Sequence, residues 1–166
     1  MTHYACLNTL GLRLDEGKLR QIPTPRFELF SHITLKTVQA GAVIGGVLAA
    51  PITTGIKGEC GNCEASCDRA YRFGTQGMKI GAIAGPVLFS IWAMQTKPST
   101  DGYTDRCYRL RHNKNQLFSD RLCFLGLAAG AGVAKYMGED LCKGMFFGFT
   151  GGLVGAGLIN TMAGFM

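Results

Sequence analysis

Long stretches without charged residues alternate with short charged blocks along the chain. Four runs lack Asp, Glu, Lys, Arg and His, at residues 37–56, 80–96, 122–134 and 144–166. A helix that crosses a bilayer needs about 20 apolar residues, and about 17 is the lower limit. The first and last runs reach this length, the second does so with Met78 and Lys79, and the third does so when extended to 119–137. The pattern predicts four transmembrane helices, at about 34–56, 77–96, 119–137 and 141–164.

These helices predict an all-α membrane protein, a compact bundle of four glycine-rich transmembrane helices over residues 33–166. The alternative is a soluble protein with buried glycine-rich helices, which the short third run fits and the long fourth run does not. Residues 1–32 are predicted to form a surface arm, in which Pro23 and Pro25 are expected to break any helix. The arm mixes basic with acidic residues and has no apolar core, so it matches neither a transit peptide nor a secretory signal.

Composition agrees with a membrane bundle and gives little support to catalysis. Charged residues make up 17% of the 166 residues, against about 25% in an average soluble domain. The three histidines lie outside the predicted spans, and no acidic residue lies deep inside one, which argues against a proton relay. We therefore predict a protein that is not an enzyme and that holds no metal ion. Lys36 and Lys79, near helix ends, are predicted to be snorkelling anchors.

Glycines recur at a spacing of four in every predicted span. Residues four apart lie on one helix face, and a row of glycines there lets a second helix backbone approach closely. The alternative is that glycine is simply frequent in transmembrane helices. The predicted helix-packing residues are Gly41, Gly45, Gly77, Gly81, Gly85, Gly126, Gly130, Gly144, Gly148 and Gly152.

This pattern of four short, glycine-striped helices resembles the mitochondrial Tim family of inner-membrane translocase subunits, which also includes an accessory subunit of respiratory complex I. The resemblance covers about residues 33–164 and is strongest over 77–92 and 126–157. The run from Phe146 to Gly152 is similar to the aromatic, glycine-rich fourth helix of the family, and Lys135 lies near a position where relatives often carry a basic residue. The resemblance implies a multi-pass protein of the mitochondrial inner membrane with its termini in the intermembrane space.

The chain also departs from the family pattern near the end of the second helix. Translocase and transporter members carry there an aromatic residue, an arginine and, four residues later, an aspartate. The nearest match is Lys97 to Asp101, and the rest of the signature is missing. Members without it resemble the complex I subunit. The resemblance therefore implies a non-catalytic accessory subunit of complex I (NADH:ubiquinone oxidoreductase) that stabilises the membrane arm. The alternative is a subunit of an inner-membrane protein translocase or small-solute transporter.

The expected partners are other subunits of a large inner-membrane complex and membrane lipid, and no nucleic acid. A basic segment after the second predicted helix would bind anionic headgroups such as those of cardiolipin, contact acidic faces of partner subunits, or form a solvated loop. Its residues are Arg106, Arg109, Arg111, Lys114 and Arg121. Basic residues are more numerous on the side of the termini, which by the positive-inside rule predicts termini in the matrix. The resemblance implies the intermembrane space, and we follow the resemblance.

The seven cysteines leave several interpretations open. Cys6 and Cys107 lie on the same side of the predicted bundle and are candidates for a disulfide, which would suit the oxidising compartment that the resemblance implies. Cys60, Cys63 and Cys67 form a C-x2-C-x3-C pattern. It is compatible with a disulfide among the three, with free thiols, or with a metal site that lacks a nearby fourth ligand.

Overall fold

The computed structural model describes residues 7–9, 15–56 and 63–164. Every regular element in these ranges is helical, which confirms the all-α class. A one-turn helix, α1, precedes a long helix that passes from α2 through a π-helical segment into α3. The elements are α1 (Glu16–Leu19), α2 (Pro25–Val43), the π-helical segment (Ile44–Ala49), α3 (Ala50–Ile56), α4 (Cys63–Thr96), α5 (Thr100–His112), α6 (Lys114–Met137) and α7 (Leu141–Gly164).

Four of these helical units are long and apolar enough to cross a membrane, as the hydropathy pattern predicted. The second and third end at Thr96 and Met137, and the described parts of the first and fourth extend to Ile56 and Gly164. The first and third begin earlier than predicted, at Pro25 and Lys114, and the second is already helical at Cys63, where its described part starts. The charge-free runs mark only the apolar part of each helix, and the helices continue through charged turns beyond it.

Pro25 begins α2 rather than breaking a helix. It occupies the first helical position after Thr24, where the N–H that proline lacks would have no intrahelical partner. The predicted arm over 1–32 therefore ends inside the first long helix. Proline at this position also fixes where the chain turns from the preceding segment into the bundle.

The bundle is built from two antiparallel helix hairpins. In the first, α2 and the π-helical segment pack on α4. A Cβ added at Gly41 would overlap the backbone of Gly77, and one at Gly45 would overlap the carbonyl of Phe73. Glycine at these positions lets the two backbones touch, so the hairpin is held by backbone contact rather than by interlocking side chains.

The second hairpin pairs α6 with α7 in the same way. A Cβ at Gly126 would overlap the carbonyl of Gly148, and one at Gly130 would overlap that of Gly144. The structure places all ten predicted packing glycines at such contacts, where an added Cβ would lie too close to a neighbouring helix. The spacing pointed to these positions because residues i and i+4 share a helix face, but it also selects Gly151 and Gly155, which meet no described atom within 4 Å.

Phe146 of α7 connects the two hairpins. Its ring fills a notch formed by Gly46 and Gly74, where an added Cβ would meet the ring carbon atoms. Tyr71 lies edge-on to the same ring, with centroids 5.7 Å apart. Ala42, Cys123 and Phe149 complete this buried cluster. The centre of the bundle is therefore packed by an aromatic ring against glycine.

Residues 97–118, between the second and third predicted spans, contain a helix, α5, that lies against α2. Ser99 caps it by accepting a hydrogen bond from the Gly102 N–H at 3.2 Å. Tyr103 and Cys107 on its inner face pack with Leu29 of α2. The apolar run analysis missed α5 because the helix is strongly polar, and only its inner face is buried.

Candidate functional site

A cluster of buried polar side chains lies where the start of α2, the end of α5 and the start of α6 meet. Its charged members are Glu28 and Lys36 from α2, Arg111 from α5 and Asp120 from α6. Charged groups inside or beside membrane spans are costly unless they are paired. We therefore take this buried polar cluster as the candidate functional site.

Glu28 and Arg111 form a bidentate ion pair that joins α2 to α5. The Arg111 Nε donates to Glu28 Oε1 at 2.7 Å and its Nη2 to Oε2 at 2.6 Å. Both residues are buried, with exposed fractions of 5% and 4%. Arg111 Nη1 also donates to the carbonyls of Leu19 and Gln21, at 2.9 and 3.2 Å. One guanidinium thus holds the segment before α2, α2 itself and α5 together.

Lys36, Gln39 and Asp120 form a second polar group, between α2 and α6. Lys36 Nζ donates to Asp120 Oδ1 at 2.6 Å and to Gln39 Oε1 at 3.0 Å. Gln39 Nε2 donates to the same Asp120 oxygen at 2.8 Å. Lys36 is thus an internal ion-pair partner rather than the snorkelling anchor predicted from its position. Asp120, at the start of the third predicted span, is 4% exposed, so its carboxylate is buried among the helices.

The described residues near the N-terminus are tied to the same cluster. Asn8 Nδ2 donates to the Arg111 carbonyl at 2.9 Å, and Arg121 Nη2 donates to the Asn8 carbonyl at 2.8 Å. Glu16 of α1 accepts from the Tyr108 hydroxyl at 2.6 Å. Hydrogen bonds from Tyr108, His112 and Arg20 lower the pKa of Glu16 to about 2. The predicted surface arm is therefore docked on α5 where it is described.

The five basic residues predicted to contact lipid or partners divide into two groups. Arg111 and Arg121 are used internally, in the contacts given above. Arg109 pairs with Asp105 on the outer face of α5. The Arg106 guanidinium lies over the Trp92 ring at 4.6 Å, and Lys114 is exposed at the start of α6. Three of the five are thus available to an external ligand.

The cysteines that the structure describes are free thiols. Cys63, Cys67 and Cys142 are exposed, whereas Cys107 and Cys123 are buried. Cys107 Sγ donates to the Pro25 carbonyl at 3.2 Å. The disulfide partners considered for this set, Cys6 and Cys60, lie outside the described residues. Among the described His, Cys, Asp and Glu side chains, no group of three or more is placed to hold a metal ion.

Cysteine labelling should separate the buried from the exposed thiols. Burial, and then the nearby Glu28 carboxylate, raises the pKa of Cys107 to about 12. Because the thiolate is the reactive form, we expect Cys107 to stay unmodified by iodoacetamide up to pH 9, while Cys63 and Cys142 are alkylated. Peptide mass spectrometry reads each site, and the same protein unfolded in SDS provides the control. Rapid alkylation of Cys107 in the folded protein would contradict its buried placement.

Asp120 should contribute measurably to stability through Lys36 and Gln39. Asp120→Leu removes the acceptor of two hydrogen bonds, one of them from a charged donor, and we expect a loss of about 2 kcal/mol in the free energy of unfolding. Denaturation in detergent micelles would measure it. Asp68→Leu is the control, since Asp68 pairs with Lys143 at an exposed site, where ion pairs contribute about 0–1 kcal/mol. If Asp120→Leu and Asp68→Leu lowered the free energy of unfolding equally, the buried Asp120 would contribute no more to stability than an exposed ion pair does.

Sequence reasoning did not find this cluster, although a signal was present. Glu28, His32, Lys36 and Gln39 follow one another at helical spacing and so lie on one face of α2. A polar stripe on a helix that also carries an apolar span indicates a buried polar contact. The search for charge-free runs left out Glu28, His32 and Lys36 because the first run begins at Thr37.

The buried polar cluster joins α2, α5 and α6. It does so in an all-α protein with four helices long and apolar enough to cross a membrane, as in multi-pass membrane proteins. The buried carboxylates of Glu28 and Asp120 are each paired with one cation, the buried Arg111 and the half-buried Lys36, so the cluster joins the helices through matched charges. The chain belongs to the family described as "Protein of unknown function (DUF1757)", whose model matches residues 6–163. A comparison with curated proteins found no match.

Proposed function

We propose that this protein is a non-catalytic accessory subunit of a large membrane complex, and that the complex is mitochondrial respiratory complex I in the inner membrane. The resemblance of the glycine-striped helices to the Tim-like accessory subunit supports the choice of complex. The structure supports the non-catalytic role through an interior that is occupied by backbone contacts, aromatic packing and matched ion pairs. Its mechanism would be mechanical, as a clamp between core subunits and lipid.

The observation that carries the proposal is that α7 has two glycine faces. Gly144, Gly148 and Gly152 contact α6, whereas a Cβ built at Gly151 or Gly155 meets no described atom within 4 Å. Leu158 and Ile159, on the following turn, are more than half exposed. A glycine face that the bundle does not use leaves room for close approach by a helix of another subunit.

A translocase or transporter subunit is the alternative function, and it requires a polar path. Four polar residues in or next to the spans are the candidates for such a path. Gln39 is bound to Asp120, and Thr53 donates to the carbonyls of Ala49 and Ala50 in its own helix. Thr150 is buried in the bundle, and Gln76 is exposed on α4. With Gln39 and Thr53 bonded inside the protein and Thr150 buried, Gln76 is the one of the four that is exposed to line a path, which favours the accessory role.

The outer face of α5 suits contact with anionic lipid. Arg106 and Arg109 project from a helix that lies beside the ends of two spans, at the level where headgroups are expected. Trp92, under Arg106, has the amphipathic ring typical of the membrane interface. We propose that Arg106, Arg109 and Lys114 bind an anionic phospholipid such as cardiolipin or an acidic surface of a partner, with the termini in the intermembrane space.

Native-gel separation of gently solubilised mitochondrial membranes tests the proposal, with mass spectrometry following this chain. Comigration with complex I is expected, and comigration with protein translocases would overturn the assignment in favour of the alternative. Gly155→Leu should lower assembly into the complex and leave the folded bundle intact. Gly55→Leu is its control, since a Cβ at Gly55 also meets no described atom within 4 Å. Normal assembly of Gly155→Leu would rule out the outer glycine face of α7 as the partner surface.

A further inference from the structure

A basic pocket and an apolar groove lie end to end along one face of α4. The pocket has a volume of about 480 Å³, and its lining includes Arg69 and Arg72 from the first turns of the helix. The groove has a volume of about 410 Å³ and follows the contact between α2 and α4 as far as Ala84. Phe73 and Gln76 line both spaces, so the pocket continues directly into the groove.

Arg72 gives the pocket a positive charge that the described part of the protein does not use. Its guanidinium forms no ion pair or hydrogen bond with a described residue. The acid in the lining, Asp68, is paired with Lys143, and Arg69 donates to the Thr54 hydroxyl at 3.1 Å, so neither is counted as open to a ligand. An arginine without a counter-charge favours a phosphate or carboxylate, whose oxygens accept its N–H groups.

Arg72 lies at the level expected for lipid headgroups. It is 20 residues from Trp92 in α4, which at 1.5 Å per residue is about 30 Å, the thickness of the hydrocarbon core of a bilayer. Trp92 has the ring typical of one membrane interface, which places Arg72 at the other. Lys79 is the charged residue between them, and its long side chain can extend toward the Arg72 end. The pocket therefore opens at the membrane surface opposite to α5.

The groove has the length and the surface of a site for an acyl chain. From Phe73 to Ala84 it follows α4 for about 16 Å, close to half the thickness of the hydrocarbon core. Its walls include Ile44 and Ile80, which are 58% and 66% exposed. The hydroxyl of Thr37, a polar group in the lining, is bonded within α2. The groove thus offers an apolar surface that spans about one leaflet.

The glycines of this groove do not leave room for a partner helix. Gly41 and Gly77 lie against each other's backbone, so the close approach that glycine permits is already used between α2 and α4. The outer face of α7 differs, since Gly151 and Gly155 meet no described atom within 4 Å. A flexible chain can follow the narrow space between the side chains of α2 and α4, whereas a second helix would need an open glycine face.

We infer that the pocket and the groove together bind an anionic phospholipid. The Arg72 guanidinium donates hydrogen bonds to the lipid phosphate. The exposed amide of Gln76, one turn closer to the membrane centre, donates to an ester carbonyl, and one acyl chain lies in the groove from Phe73 to Ala84. This site is separate from the lipid contact proposed on α5, which lies at the other membrane surface. It uses residues of α2 and α4 alone, so it does not depend on which complex the protein joins.

Photo-cross-linking of the full chain in nanodiscs tests this inference. Phosphatidylcholine discs carry a trace of phosphatidylglycerol with a photoreactive diazirine in one acyl chain, and mass spectrometry locates the cross-linked residues. We expect several-fold more labelling of the groove, over residues 40–45 and 77–84, from this probe than from phosphatidylcholine with the same diazirine chain. Arg72→Gln should remove this preference. Lys135→Gln, which changes an exposed cation near the end of α6, should keep it.

Ala40→Phe tests the groove separately from the pocket. Ala40 is exposed and lines the groove, so the added ring should occupy the path of the acyl chain and reduce the labelling of 77–84 several-fold. Ala82→Phe, at an exposed position of α4 outside the groove, is the control and should leave the labelling unchanged. Circular dichroism of each variant shows that the helices are intact, so a lost signal cannot be mistaken for unfolding.

Three results would overturn the inference. Equal labelling of the groove by the two lipids in the unmodified protein would mean that the site does not select an anionic headgroup. A preference that persists in Arg72→Gln would mean that the pocket does not hold the headgroup of the lipid in the groove. A photoreactive amino acid in place of Ile80 that cross-links to another protein in native membranes, and not to lipid, would assign the groove to a partner subunit. The native-gel experiment bears on the complex alone, so its failure would leave the lipid site standing.

Discussion

Arg111→Met should lower the free energy of unfolding by about 3–5 kcal/mol, the range for breaking a buried ion pair by removing one partner. Glu28 would keep its charge and its burial while losing both hydrogen bonds from the guanidinium. The carbonyls of Leu19 and Gln21 would lose their shared donor as well. We expect α5 and the segment before α2 to detach first, since Arg111 holds both. Denaturation in micelles measures the loss, and hydrogen exchange of the α5 amides locates it.

Arg109→Met is the matched control on the same helix. Arg109 pairs with Asp105 at the surface, with both side chains more than half exposed. Such pairs contribute about 0–1 kcal/mol, so this variant should be close to the unmodified protein. The double variant Glu28→Leu with Arg111→Met should be more stable than Arg111→Met alone, because it removes the unmatched buried charge. If the double variant is no more stable than Arg111→Met, the unpaired charge of Glu28 is not the cause of the lost stability.

Gly148→Ala should be the most disruptive single-methyl change in the α6–α7 hairpin. The added Cβ would overlap the carbonyl of Gly126 and would also lie 3.0 Å from the Gly130 Cα. Neither neighbour is a flexible side chain, so the two helices must move apart and lose contacts along the whole crossing. Overpacking of this kind costs about 1–3 kcal/mol or more. Gly148→Leu should prevent the close crossing altogether.

Gly151→Ala is the control for this prediction, three residues further along α7. A Cβ there meets no described atom within 4 Å. Alanine favours a helix over glycine by about 1 kcal/mol, so Gly151→Ala should be neutral or slightly stabilising. Thermal unfolding of the two variants in the same micelle gives the comparison. If both shift the midpoint equally, the backbone contact between Gly148 and Gly126 is not what holds the hairpin.

The helix contact at Gly148 could be predicted from the sequence, whereas the ion pair of Arg111 could not. Gly148 was identified from spacing, because a glycine row must lie on one helix face whatever that face meets. Arg111 was interpreted as a contact for lipid or a partner, because an arginine in a polar segment is usually exposed. Its partner Glu28 lies 83 residues away, and no local pattern connects the two.

The sequence by itself determined the number of long helices and the glycines at which they cross. These properties depend on local composition and on the fixed periodicity of a helix. Only the tertiary structure decided that α2 pairs with α4 and α6 with α7, and that Phe146 joins the hairpins. It also decided that Glu28, Arg111 and Asp120 are buried. A charge in a transmembrane protein is stable inside only when packing brings its counter-charge to it, and that juxtaposition is a property of the assembled bundle.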